Sequence, residues 1–110
     1  MMVETEILSY LAGFFDGEGN IFRCKTQKSY RITVCQNQPE VLNLYTERWG
    51  GTVYSNRQCH YWVISKRSSV QEFLTTLYPY LVVKKDKAEE ALQEIKIMGP
   101  VLRSRASRGL

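Results

Sequence analysis

Between Glu4 and Phe15 the apolar positions Ile7, Leu8, Leu11, Ala12, Phe14 and Phe15 recur at helical intervals, which predicts a helix from near Thr5 that runs into Asp16-Gly17. Beyond Gly19 the pattern changes to β-rich runs, Asn20 to Thr26 and Tyr30 to Gln36, with the polar Gln27-Lys28-Ser29 between them as a hairpin turn. Val41, Leu42, Leu44, Tyr45 and Trp49 return to helical spacing over Pro39 to Trp49, and Gly50-Gly51 stops that helix. Thr52 to Ser55 and Tyr61 to Ser65 then flank the polar Asn56-Arg57-Gln58 as a second hairpin. Val70, Phe73, Leu74 and Leu77 mark a third helix over Ser68 to Leu77, ended by Pro79, and Lys85 to Met98 is a fourth, more charged one.

The order αββαββαα predicts an α+β fold over residues 1–98, with helices packed on one face of an antiparallel sheet. From Gly99 onward Arg103, Arg105 and Arg108 stand without apolar periodicity, as a basic tail. Alternation sends Tyr30, Ile32 and Val34 toward the helices and Ser29, Arg31 and Thr33 away from them. By the same rule Val53, Trp62 and Ile64 point inward while Thr52, Tyr54, Tyr61, Val63 and Ser65 point outward. The first strand leaves both registers open, because Ile21 favours one face and Phe22 with Cys24 the other.

A length of 110 residues suits one hydrophobic core, so a site that needs more groups than this chain carries must borrow them from a second copy. The formal charge of +4 permits a polyanionic partner, and an outward sheet face bearing Arg, Lys, Tyr, Thr and Asn has the donors to follow the major groove of DNA. An ordinary solvated face is the preferred account of the same residues until chemistry is added. Cys24, Cys35 and Cys59 are odd in number and widely spaced, which predicts neither a disulfide framework nor a zinc site. With no secretory signal and no run of membrane-spanning length, the expectation is a protein that is not secreted and works in a reducing intracellular compartment containing DNA, without a membrane partner.

The most specific stretch is Leu11-Ala12-Gly13-Phe14-Phe15-Asp16-Gly17-Glu18-Gly19, which resembles the signature of the LAGLIDADG homing endonucleases position for position, with Glu in place of the last Asp. The resemblance extends from about Thr5 to the fourth helix, because αββαββα with a saddle-like antiparallel sheet is also that family's fold. Ala12 and Gly13 are small, so two copies of the first helix could approach closely and bring both C-terminal ends to one axis. Leu11, Ala12, Gly13, Phe15 and Asp16 are accordingly the candidate homodimer interface.

Asp16 and Glu18 from two copies would repel each other at the negative ends of two helix dipoles, a conflict that a bound cation relieves. Hard oxygen ligands suit Mg²⁺, with Mn²⁺ as a substitute and Ca²⁺ as a ligand that does not support catalysis. The resemblance assigns the metal to Glu18 and the backbone carbonyl of Gly17, and gives Asp16 a structural role. Gln36 resembles the family's polar residue that orders water near the scissile phosphate. Lys84 resembles the basic residue that stabilises charge developing on phosphate, with Lys85 as the alternative if the alignment slips by one. Glu18, Gln36 and Lys84 are therefore the candidate catalytic residues.

DNA contacts are expected from Asn20, Arg23, Lys25, Lys28, Arg31, Thr33, Tyr54, Asn56, Arg57, Tyr61 and Lys85. Pro39-Glu40 stands where the family tends to carry a basic residue. His60, the one histidine, lies in the second hairpin away from the motif, so no histidine general base is expected. What the resemblance implies is a homodimer that cleaves both strands of a long, pseudo-palindromic double-stranded DNA site. The competing reading is a relative without cleavage, binding nucleic acid as an RNA maturase or a DNA-binding regulator.

Overall fold

The computed structural model describes residues 3–24 and 29–95. Its elements are α1 (Glu4–Glu18), β1 (Gly19–Cys24), β2 (Ser29–Gln36), α2 (Glu40–Trp49), β3 (Thr52–Ser55), β4 (His60–Ile64), α3 (Arg67–Leu77), a 3-10 turn at Tyr78–Tyr80 and α4 over 85–95. Ser29, expected in the first hairpin turn, belongs to β2 and pairs with Cys24. The tail over 99–110 lies outside the described residues. None of the described helices is long and apolar enough to cross a membrane.

The sheet is open and antiparallel, in the order β1-β2-β4-β3, with the helices on one face. Pairing of Ile21 with Ile32 and of Ile32 with Ile64 lays a row of buried branched side chains across it, and Val34 opposite Trp62 lays a second. This settles the register of β1: Ile21 and Arg23 share the helix side, while Asn20, Phe22 and Cys24 share the open side with Arg31 and Thr33. Arg23 is tolerated there because α4 offers a partner. Its Nε donates to Glu94 Oε1 at 2.9 Å, and the Tyr30 hydroxyl donates to the same carboxylate.

On the helix side the aromatic residues pack as one cluster. Tyr45 stacks on Trp62 at 4.9 Å between centroids, and Phe73 meets Trp49 edge-on at 4.7 Å and Phe15 at 5.0 Å. Burial of these rings supplies a large share of the driving force. The Tyr45 hydroxyl donates to the Leu11 carbonyl at 2.7 Å, so α2 is tied to the backbone of α1, and burial pushes its phenol pKa up. Val53 departs from expectation. It faces the helix side opposite Trp62 yet stays 38% exposed, because β3 is the edge strand and its residues are all exposed.

Cys35 and Cys59 form a disulfide, with Cα atoms 6.5 Å apart, which corrects the expectation of unpaired thiols. They are 24 residues apart in sequence, but β2 and β4 are neighbours in the sheet, and only the strand order reveals it. Cys24 remains a free thiol.

Candidate active site at the C-terminal end of the first helix

Acidic residues at the start of α1 favour its positive dipole end, and the Val3 N–H donates to Glu6 Oε1 at 3.1 Å. The other end carries acids with no basic residue in the last turn, an arrangement that helix electrostatics disfavour. The chain passes from Glu18 straight into β1 at Gly19, whose N–H still bonds back to the Phe15 carbonyl. A β-carbon at Gly19 would collide with the Phe15 ring, so the close passage of strand against helix requires glycine there.

Asp16 and Glu18 diverge at this end. Asp16 is half-buried, and its carboxylate accepts the Val82 N–H at 2.7 Å and the Lys84 N–H at 3.0 Å. It therefore holds the turn that leads into α4. Lys84 extends its ammonium to the Asp16 carbonyl at 2.7 Å, with its Nζ 5.7 Å from the centre of the Phe15 ring. Glu18 is exposed and forms no ion pair with any described residue. Lys84 is thus brought to the helix end that carries Glu18, although the two lie far apart in sequence.

Gln36 reaches the same end of the sheet, two residues past the pairing of Val34 with Gly19. Its amide oxygen is taken by its own turn, accepting the Asn37 N–H at 2.7 Å and the Gln38 N–H at 3.3 Å. A shallow depression of about 210 Å³ joins Gln36 to Tyr10, Phe14, Gln38, Glu40 and Val41. Tyr10 and Gln38 were not singled out from the sequence, and only the approach of β2 to α1 marks them.

The expected dimer residues separate into two groups. Leu11, Ala12 and Phe15 are fully buried in the chain's own core and cannot present side chains to a second copy. Gly13 is exposed, as are Glu6, Tyr10 and Gly17 on the opposite side of α1 from that core. A β-carbon added at Gly13 or Gly17 would meet nothing within 4 Å, so the helix surface there is bare and open to close approach. Apolar periodicity alone did not say which small residues faced out.

The open face of the sheet carries Arg31, Thr33, Tyr54 and Tyr61, as expected, and the β1 register adds Asn20 to them. Arg31 is exposed on the central strand β2, its guanidinium 5.6 Å from the centre of the Phe22 ring. Asn56 and Arg57 lie in the exposed turn between β3 and β4, where Asn56 Oδ1 accepts the Gln58 and Cys59 N–H groups and its Nδ2 donates to the Tyr61 hydroxyl. Arg23 is a correction, since it lies on the helix side bound to Glu94. Lys85 opens α4, as the helical spacing predicts, with its ammonium 4.7 Å from the centre of the Tyr78 ring. Lys25 and Lys28 fall outside the described residues.

Among the described residues no group of three or more metal-capable side chains comes together.

No protein-family model matches the sequence, and no curated protein does either. Among solved structures, the homing endonuclease I-CvuI in complex with the I-CreI target and 2 mM Mg, its DNA not cleaved, is 30% identical with a TM-score of 0.70. The match covers 84% of this chain and 67% of that one; in a second I-CvuI complex, with its own target and 2 mM Ca, this chain spans 65% of the neighbour. The homing endonuclease I-TnaI, 21% identical with a TM-score of 0.67, matches over 90% of this chain and 76% of its own, and shows the same fold. Identity to I-CvuI over two thirds of that enzyme's length, on a shared fold, makes the chain a member of the LAGLIDADG homing endonuclease family.

Proposed function

We propose that the chain is one half of a homodimeric endonuclease that hydrolyses phosphodiester bonds in both strands of a long double-stranded DNA site. The observation that carries the proposal is an exposed Glu18 carboxylate without an ion-pair partner among the described residues, at the same helix end as the anchored Lys84 ammonium. Solved relatives support the substrate, since I-CvuI was captured with DNA targets in the presence of Mg and of Ca.

The donors fit a hard divalent ion: Glu18 supplies carboxylate oxygen and Gly17 a carbonyl from the last turn of the helix. When bound, Mg²⁺ would lower the pKa of a water and stabilise the leaving oxygen. The chain's own residues do the rest. Glu18 holds the ion, and Lys84 places positive charge where phosphate oxygens gain negative charge. Gln36 orients water through its amide nitrogen, because its oxygen is committed to the turn. The bare face of α1 at Gly13 and Gly17 lets a second copy bring its own Glu18 alongside.

The open sheet face would lie in the major groove, with Arg31, Asn20 and Thr33 on the two strands nearest α1 and Tyr54 and Tyr61 beyond them. Retention of Glu18 together with Lys84 favours cleavage over a binding-only role. The test is selection of cleaved sites from a random DNA library in Mg²⁺. The parent should yield a two-fold related consensus, and Glu18→Gln should yield none while still binding the selected DNA in Ca²⁺. Cleavage surviving in purified Glu18→Gln would remove this residue from the reaction.

A further inference from the structure

Asp16 engages Lys84 and its turn through three bonds, which together do more than end a helix. Its two carboxylate oxygens accept separate backbone N–H groups of the turn over residues 82–84, one of them from Lys84 itself. Its own carbonyl, in the final turn of α1, accepts the Lys84 ammonium. Lys84 is thus gripped at its backbone and at its tip, with the ammonium close to the Phe15 ring. A lysine side chain is otherwise among the most mobile, and fixing it in advance removes an ordering cost from any reaction that uses it.

We propose that Asp16 is a positioning residue: by clamping the 82–84 turn and the Lys84 ammonium, it fixes that charge two residues from Glu18. This rests on the nuclease reading of the site and adds to it a device that joins two segments 68 residues apart. A simpler role, in which Asp16 only stabilises the fold, makes a different prediction. Under that role the effect of Asp16 would not depend on the side chain at position 84.

The test is a double-substitution cycle with Asp16→Asn and Lys84→Met, read as the single-turnover cleavage rate with enzyme in excess. Asp16→Asn keeps the size of the side chain but leaves one oxygen to serve two N–H donors. It should lower the rate about 10- to 100-fold, in line with the cost of misplacing a catalytic group, and leave DNA affinity in Ca²⁺ within about twofold. In the Lys84→Met background the same change should cost less than about twofold, because the group it positions is gone. Hydrogen exchange at the Val82 and Lys84 amides should accelerate in Asp16→Asn, while the amides of β2 and β4 keep their protection.

An equal penalty in both backgrounds, or unchanged exchange at those two amides, would overturn the proposal while leaving the nuclease reading intact. A folded parent that cleaves no DNA would overturn the nuclease reading and this inference with it.

Discussion

The two helix–hairpin units of this chain start alike and end differently. α2 closes on Gly50 and Gly51, with φ of 73° and 94°, and both of its final groups are satisfied: the Gly50 N–H bonds to Thr46 and its carbonyl accepts Trp62 Nε1 at 2.7 Å. A β-carbon on Gly51 would strike Ile64 and the Val63 carbonyl at 2.6 Å, so the end is sealed by packing. α1 instead runs into extended backbone at Gly19, keeps its acids at the tip and has its Asp16 carbonyl met by a distant lysine. The same local plan yields one end sealed by packing and one that leaves an acid, Glu18, exposed.

Four substitutions would break or sharpen this contrast, from the largest effect to the smallest. Trp62→Ala at the closed end should destabilise by about 3–5 kcal/mol in chemical denaturation, since it removes a fully buried ring and the cap on Gly50. Next comes the link between the hairpins. Reduction, or Cys35→Ser, should cost about 3 kcal/mol from the freed 24-residue loop, and alkylation with mass analysis should find one free thiol before reduction and three after it.

At the open face, Gly13→Leu should act in opposite senses on the monomer and the dimer. Its side chain meets nothing in the single chain and replaces a helix-interior glycine, so the monomer should gain up to about 1 kcal/mol. Dimerisation should weaken at least about tenfold, or about 1.4 kcal/mol, in sedimentation. Unchanged dimerisation would move the interface away from this side of α1.

The smallest effect is expected at the exposed pair joining the start of α1 to the end of α2. Arg48 donates to both Glu4 oxygens, at 2.6 and 2.8 Å, and that hydrogen bonding lowers the Glu4 pKa. A depressed carboxyl contributes stability above its unfolded pKa and loses it as pH falls through the folded value. Arg48→Ala should therefore lower stability slightly at neutral pH, change nothing below the folded Glu4 pKa, and so flatten the acid limb of a stability–pH curve. A large loss at neutral pH would show that the pair does more than link two exposed ends.

Most of the fold was legible because local patterns decide it. The spacing of Leu42, Tyr45 and Trp49 and the alternation of Tyr30, Ile32 and Val34 match the buried positions, and Gly50-Gly51 marked a real helix end. The register of β1 was not legible, because Ile21 is chosen over Phe22 by its pairing with Ile32, a tertiary fact. Arg23 was misplaced for the same reason: an arginine on the helix side requires Glu94, 71 residues away. At the candidate site, the motif singled out Glu18, and Lys84 was read from its place ahead of the fourth helix; that Asp16 reaches across to the 82–84 turn stayed hidden, since it is a tertiary contact. Motif position also failed to separate buried Leu11, Ala12 and Phe15 from the exposed Gly13.

The open end of α1 is tested most directly by a crystal structure of the parent with its selected DNA and Ca²⁺. Two α1 helices should lie side by side, each Glu18 carboxylate about 2.3–2.6 Å from a calcium ion that also touches a phosphate of the cut bond. Helix tips set apart, or calcium bound away from Glu18, would contradict it.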